Sequence, residues 1–216
     1  MKTTIIFDLD GTLLNTLGDL RSAANETLRL RGLPPRTLEE IRAFVGNGLR
    51  KLMIRCMPEY TPDAEIDAAL TDFKAYYSAH MRDATHPYPG IAELIDTLHA
   101  RGIQMGVLSN KIDDAANDLV HHYFGEKIDV TVGERVGIPR KPDPTSCRML
   151  MEQLGAQPQD VLYVGDSQVD MQTACNAGLT AVGVTWGFRD RALLEANGAA
   201  YLVDEPMQIA ELLHKA

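Results

Sequence analysis

Cysteine is scarce in this chain: Cys56, Cys147 and Cys175 are odd in number and far apart. Such a set builds no disulfide framework, and no CxxC or Cys/His spacing offers a zinc site. Long apolar runs are missing as well. None approaches the roughly 20 residues that a bilayer-spanning helix needs. Positive charge is in deficit, with 21 Lys and Arg against 30 Asp and Glu and a net charge of −9. Neither nucleic acid nor a membrane is therefore an expected partner, although a local basic pocket for a small anion stays open. Acidic residues at 8 and 10 interrupt any signal-peptide core, so the expected compartment is the cytoplasm. There is no internal repeat and no low-complexity tract. What is present is 216 residues, 45% hydrophobic and 24% charged. That is the profile of a globular protein with one good core and a smaller appended domain.

Short apolar runs rich in β-branched residues recur along the chain and predict buried strands: 3–9, 104–108, 128–132, 161–164, 180–185 and 200–203. Amphipathic stretches lie between most of them. Ile91, Leu94, Ile95 and Leu98 share one helical face, as do Cys147, Leu150, Met151 and Leu154, with Gly155 placed to end that helix. Strands alternating with helices predict an α/β fold, a Rossmann-like parallel sheet covered on both sides.

The segment between the first two strands breaks the rhythm. Leu17, Leu20, Ala24 and Leu28 repeat at helical spacing, Thr37 and Glu40 form a capping box, and two further stripes follow: Leu49/Leu52/Met53/Cys56 and Ile66/Leu70/Phe73/Tyr77. The expected organisation is a Rossmann-like core of residues 1–15 and 86–216, interrupted by a four-helix cap domain at 16–85. The two connections are close to the first strand and are candidates for a hinge pair.

Polar clusters follow four of the strands. The first ends Asp8-Leu9-Asp10-Gly11-Thr12, the second Leu108-Ser109-Asn110-Lys111, and the fourth Gly165-Asp166-Ser167-Gln168-Val169-Asp170; Arg140-Lys141-Pro142-Asp143-Pro144 comes after the third. Asp and Gly are common turn formers, and one such cluster alone could be turn chemistry. In an open parallel sheet all four belong on the carboxyl edge, where ligands bind. Four carboxylates in one pocket repel one another. Two like charges ~4 Å apart cost roughly 4 kcal/mol at an effective dielectric near 20. Lys141 answers with a single positive charge, so a hard divalent cation with oxygen ligands, Mg2+, is the expected cofactor.

DLDGT, then Ser after an apolar strand, then KPDP, then GDSxxD: in this order the motifs resemble the haloacid dehalogenase superfamily of phosphotransferases, over nearly the whole chain. Val45-Gly46-Asn47-Gly48-Leu49 and the tail from Trp186-Gly187 to Tyr201 are similar to its phosphoglycolate phosphatase branch. The resemblance implies that Asp8 attacks phosphorus and becomes an aspartyl phosphate, and that Asp10 serves as acid and then as base. It implies that Ser109 and Lys141 bind the transferring phosphoryl group. Asp166 would ligate the metal with Asp8 and the Asp10 backbone carbonyl, and Asp170 would reach it through water. Thr12 and Asn110 add polar groups for the substrate.

In the cap, Asn47, Gly48 and Arg50 are the candidate readers of a substrate carboxylate. Gly46 and Gly48 permit close backbone approach, and the following helix offers N–H groups to an anion. Asn47 also reads as a helix N-cap, and Arg50 and Lys51 as a solvated helix face. The expected activity is hydrolysis of a small phosphorylated metabolite by a monomer or weak homodimer. The rivals are a phosphosugar mutase of the β-phosphoglucomutase type and, from another class, a phospho-acceptor signalling domain. A phosphonoacetaldehyde hydrolase would need a cap lysine as Schiff base, for which Lys51 is the one candidate. A dehalogenase fits the Asp10, Lys141, Asp166 and Asp170 set poorly, and a catalytically retired binding protein would have lost a catalytic position.

Overall fold

The computed structural model describes residues 2–213. In chain order the elements are β1 Thr4–Phe7, β2 Leu14–Asn15, α1 Leu17–Arg29, α2 Leu38–Phe44, α3 Leu49–Cys56, α4 Asp63–His80 and β3 His86–Pro87. Then follow α5 Ile91–Ala100, β4 Gln104–Ile112, α6 Asp113–Phe124, β5 Val130–Glu134, α7 Thr145–Leu154, β6 Val161–Gly165, α8 Gln168–Ala177, β7 Thr180–Val184, α9 Arg191–Ala196, β8 Tyr201–Val203 and α10 Met207–Leu212. The chain divides into two compact units. One is Asn15–His86; the other runs up to Leu14 and resumes at Pro87.

The larger unit is built on a six-stranded sheet in the order β5-β4-β1-β6-β7-β8. Each neighbouring pair is parallel, and β1 lies in register between β4 (Ile5 opposite Met105) and β6 (Ile5 opposite Leu162). All six expected strands form. Consecutive strands run outward from β1 in one direction and then, from β6, in the other. That reversal marks the place where open α/β sheets bind ligands, beyond the strand carboxyl ends.

Ile5, Ile6 and Phe7 are all fully buried, so β1 is covered on both faces, as a central parallel strand requires. Ile6 joins a cluster with Cys147, Leu150, Met151 and Leu154 of α7, Met171 and Ala174 of α8, and Leu194 of α9. The two expected helical stripes are the buried faces of α5 and α7, and Gly155 closes α7 in the left-handed conformation.

The smaller unit carries the helices α1–α4. Leu17, Leu20, Ala24 and Leu28 form the buried stripe of α1, and Thr37 and Glu40 cap α2 reciprocally. In α4, Leu70 is only half-buried and Ala69 takes its place inward. Asp19, a carboxylate in the buried face of α1, is 2% exposed and accepts three hydrogen bonds: from Ala84 N (2.9 Å), Thr85 N (2.8 Å) and Thr85 Oγ1 (2.7 Å). It ties the departing end of the unit to its first helix. Among the described residues no helix is long and apolar enough to cross a membrane.

Candidate active site

The site grows from the end of β1. Asp8 donates its N–H to Val164 O on β6 at 2.8 Å, which carries the sheet pairing one residue past the strand. The chain then turns sharply. Thr12, Leu13 and Leu14 all donate N–H to Leu9 O, and Gly11 sits at φ 92°. The tight turn brings Asp8 and Asp10 to the same rim.

Lys141 Nζ lies 2.7 Å from Asp8 Oδ1, 2.8 Å from Asp170 Oδ1 and 2.9 Å from Leu108 O. One buried ammonium, carried by the segment after β5, thus joins residues that follow β1 and β6 to a carbonyl of β4 itself. Its backbone is placed by Asn110, whose Oδ1 accepts from Lys141 N (3.0 Å) while its Nδ2 donates to Lys141 O (3.2 Å). These amide bonds brace the protein, a duty that the sequence did not announce for Asn110. The Ser109–Lys111 cluster lies within β4, which runs on to Ile112 with a register shift beyond Leu108. Ser109 is buried and its Oγ accepts from Lys111 N.

Asp166 follows β6 and is buried. Its Oδ2 accepts from Phe188 N at 2.6 Å. Two glycines make this approach possible, because a Cβ on either Gly11 or Gly187 would collide with the Asp166 side chain. Asp170, in the first turn of α8, forms a reciprocal capping box with Ser167. Its Oδ2 accepts from Ser167 Oγ (2.6 Å) and Ser167 N (3.1 Å), while Oδ1 faces Lys141 and Tyr163. Thr12 is 1% exposed, and its Oγ1 makes no hydrogen bond, a buried hydroxyl at the rim with its donor unspent.

The electrostatics follow from crowding. Burial, then the charge of Asp170, raises the Asp8 carboxyl to about 7 against the pull of Lys141. Burial, then Asp170 and Asp8, pushes Asp166 well above the usual carboxylate range, opposed by the Phe188 N–H and Arg189. Lys141 is lowered by burial, but Asp170 and Asp8 more than offset this and hold it firmly protonated. Asp8, Asp166 and Asp170 each offer a carboxylate oxygen, all within 4.8 Å of one another. Buried oxygens that bind protons too tightly, in a set without nitrogen or sulfur ligands, suit a hard divalent cation.

Sequence reading undercounted the cations. Lys111 was visible after Ser109-Asn110, but nothing in the spacing told where its side chain goes. Its Nζ lies 2.9 and 3.1 Å from the two oxygens of Asp10. The clamp of Gly187 and Phe188 on Asp166 likewise had no signal beyond a Trp-Gly pair after a strand.

The cap candidates are engaged within their own unit. Arg50 donates to Asp63 Oδ1 (2.6 Å) and Asp67 Oδ1 (3.1 Å) of α4, and Asn47 Oδ1 accepts from Arg55 Nη2 (3.0 Å). The N-cap of α3 is Gly48 at φ 83°, so Asn47 does not cap this helix.

Residues 5–184 match the family model described as haloacid dehalogenase-like hydrolase. The chain belongs to this family. Among this hydrolase's curated relatives is the phosphoglycolate phosphatase of Pseudomonas putida, 32% identical over 208 residues that cover 93% of this chain and 76% of the relative. That of Agrobacterium fabrum is 36% identical over 198 residues, 88% and 83% of the two chains. A solved structure from Lactobacillus delbrueckii subsp. bulgaricus, provisionally named a phosphoglycolate phosphatase, superposes with a TM-score of 0.93 at 33% identity and covers 99% of each chain. This hydrolase is a phosphatase of the phosphoglycolate phosphatase-like kind.

Proposed function

We propose that the enzyme hydrolyses phosphoglycolate through an aspartyl phosphate on Asp8, with Mg2+ as cofactor. The observation that carries this reading is the buried Asp8 Oδ1–Lys141 Nζ contact of 2.7 Å at the end of β1, beside Asp166. A nucleophile, a phosphoryl-binding cation and a metal-binding carboxylate are then in one place.

In the first step an Asp8 oxygen attacks phosphorus, and the ester P–O bond breaks. The leaving glycolate oxygen takes a proton from the Asp10 carboxyl. In the second step water attacks the same phosphorus, its proton passes to Asp10, and the Asp8–phosphorus bond breaks to release inorganic phosphate. Lys141 and Ser109 hold the phosphoryl oxygens throughout, and the unspent Thr12 hydroxyl is a further donor toward the substrate. Asp8, Asp166 and the Asp10 carbonyl would hold the metal. Asp170, with its oxygens turned to Ser167, Tyr163 and Lys141, orients Lys141 and would support the metal from behind Asp8 and Asp166. Mg2+, when bound, supplies the positive charge that lets carboxylates and a phosphate share one pocket.

The names of the curated relatives support phosphoglycolate as the substrate. The reaction belongs in the cytoplasm, where three free thiols stay reduced. The test is phosphate release from phosphoglycolate by wild type and Asp8→Asn. The substitution keeps the side chain's size and removes its nucleophilic charge, so turnover should fall by several orders of magnitude. Near-normal release by Asp8→Asn would sink the covalent route.

A further inference from the structure

Lys111 is a buried cation that the phosphoryl chemistry above does not use. It sits on β4, its side chain is 3% exposed, and its ammonium contacts both oxygens of Asp10. We propose that Lys111 is the residue that selects a carboxylated leaving group, by pairing with the carboxylate of the substrate next to Asp10. This rests on the phosphatase reading and deepens its substrate assignment.

The argument is one of distance. Asp10 is the group that hands a proton to the leaving oxygen, so that oxygen comes within hydrogen-bond reach of the Asp10 carboxyl. Lys111 Nζ is itself within 2.9–3.1 Å of that carboxyl. In phosphoglycolate a single CH2 separates the ester oxygen from the carboxylate carbon, a span of roughly 2.4 Å from ordinary bond lengths. The substrate carboxylate therefore falls where Lys111 can meet it.

Desolvation makes the cation necessary. A carboxylate brought beside Asp8, Asp10 and Asp166 without its own counter-charge would leave water for a field of like charges. Lys141 already serves Asp8 and Asp170. Lys111 carries a second buried positive charge, an ammonium with three N–H donors that can face two carboxylates at once. Arg50, the arginine of the smaller unit that was a candidate for this duty, is paired with Asp63 and Asp67.

The experiment compares phosphoglycolate with ethyl phosphate, in which a methyl group replaces the carboxylate, on wild type, Lys111→Gln and Lys111→Arg, each checked for folding by its melting curve. Losing a charge-assisted contact should lower kcat/KM of Lys111→Gln for phosphoglycolate by about 10- to 150-fold more than for ethyl phosphate, chiefly through KM. Lys111→Arg, which keeps the charge, should recover a substantial part of the preference. Equal losses on both substrates, or a preference that survives Lys111→Gln, overturn the proposal while leaving the substrate reading intact. A wild type that hydrolyses both esters equally well overturns the phosphoglycolate assignment and the role of Lys111 together.

Discussion

Phe188 donates its backbone N–H to Asp166 Oδ2 at 2.6 Å, so a loop after β7 holds a carboxylate that follows β6. The contact exists because neither Gly11 nor Gly187 carries a Cβ that would collide with Asp166. Residues that orient a metal ligand commonly matter 10- to 100-fold for metal affinity. With Asp166 as the proposed metal ligand, Gly187→Ala should raise the Mg2+ concentration needed for half-maximal activity by about tenfold or more. A magnesium titration of phosphate release checks this. An unchanged requirement would mean that Asp166 keeps its orientation without the clamp.

Stability of the metal-free protein should depend on pH through Asp8 and Asp166. The Asp8 carboxyl is raised from 3.8 to about 7 by burial and Asp170, and Asp166 moves in the same direction. A carboxyl whose folded value lies above its unfolded value favours the fold fully at pH below the unfolded value. That contribution is lost as pH rises through the folded value. Metal must displace the same protons, so its stabilising effect runs the opposite way. Melting curves in chelator and in excess Mg2+ should therefore diverge between pH 5 and pH 8, with the gap widest at the alkaline end. A gap independent of pH would show that both carboxylates are already ionised without metal.

Asp19 fastens the smaller unit's return segment to α1 through three hydrogen bonds from Ala84 and Thr85. Asp19→Ala removes the shared acceptor in a buried setting and should cost about 2–3 kcal/mol in denaturant unfolding. Asp19→Asn keeps an acceptor oxygen and should cost less. If Asp19→Ala melts like wild type, the segment is held by apolar packing alone.

The thiols should react unequally. Burial pushes Cys56 and Cys147 up to about 12, so neither is a thiolate near neutral pH, whereas Cys175 is exposed. A thiol reagent at pH 8 should label one cysteine quickly in the native protein and all three after unfolding. Fast labelling of a second thiol in the native state would contradict the burial of α3 or α7.

Much of the architecture was legible before any coordinates, because it rests on local patterns. Each strand of the sheet is announced by its own apolar run, each of α5 and α7 by a single stripe, and the α2 start by Thr37 and Glu40 three residues apart. Asp8, Lys141, Asp166 and Asp170 could be gathered at one edge from topology alone, since the carboxyl ends of parallel strands share an edge whatever the detailed packing. In the smaller unit the polar contacts were not legible in the same way. Arg50 has two acidic partners 13 and 17 residues away on α4, and Asn47 meets Arg55 across the turn into α3. No rule of spacing selects those pairs over a substrate.

By itself, then, the sequence determined the six strands of the sheet, the helical segment inserted after the first of them and the family, because backbone periodicity and turn geometry are properties of short segments. Only the tertiary structure decided that Lys111 answers Asp10, that Asn110 braces the Lys141 backbone, and that Phe188 grips Asp166 between two glycines. Those contacts join residues 22 to 101 positions apart. They depend on side-chain direction and on packing to a fraction of an ångström, which no local pattern encodes.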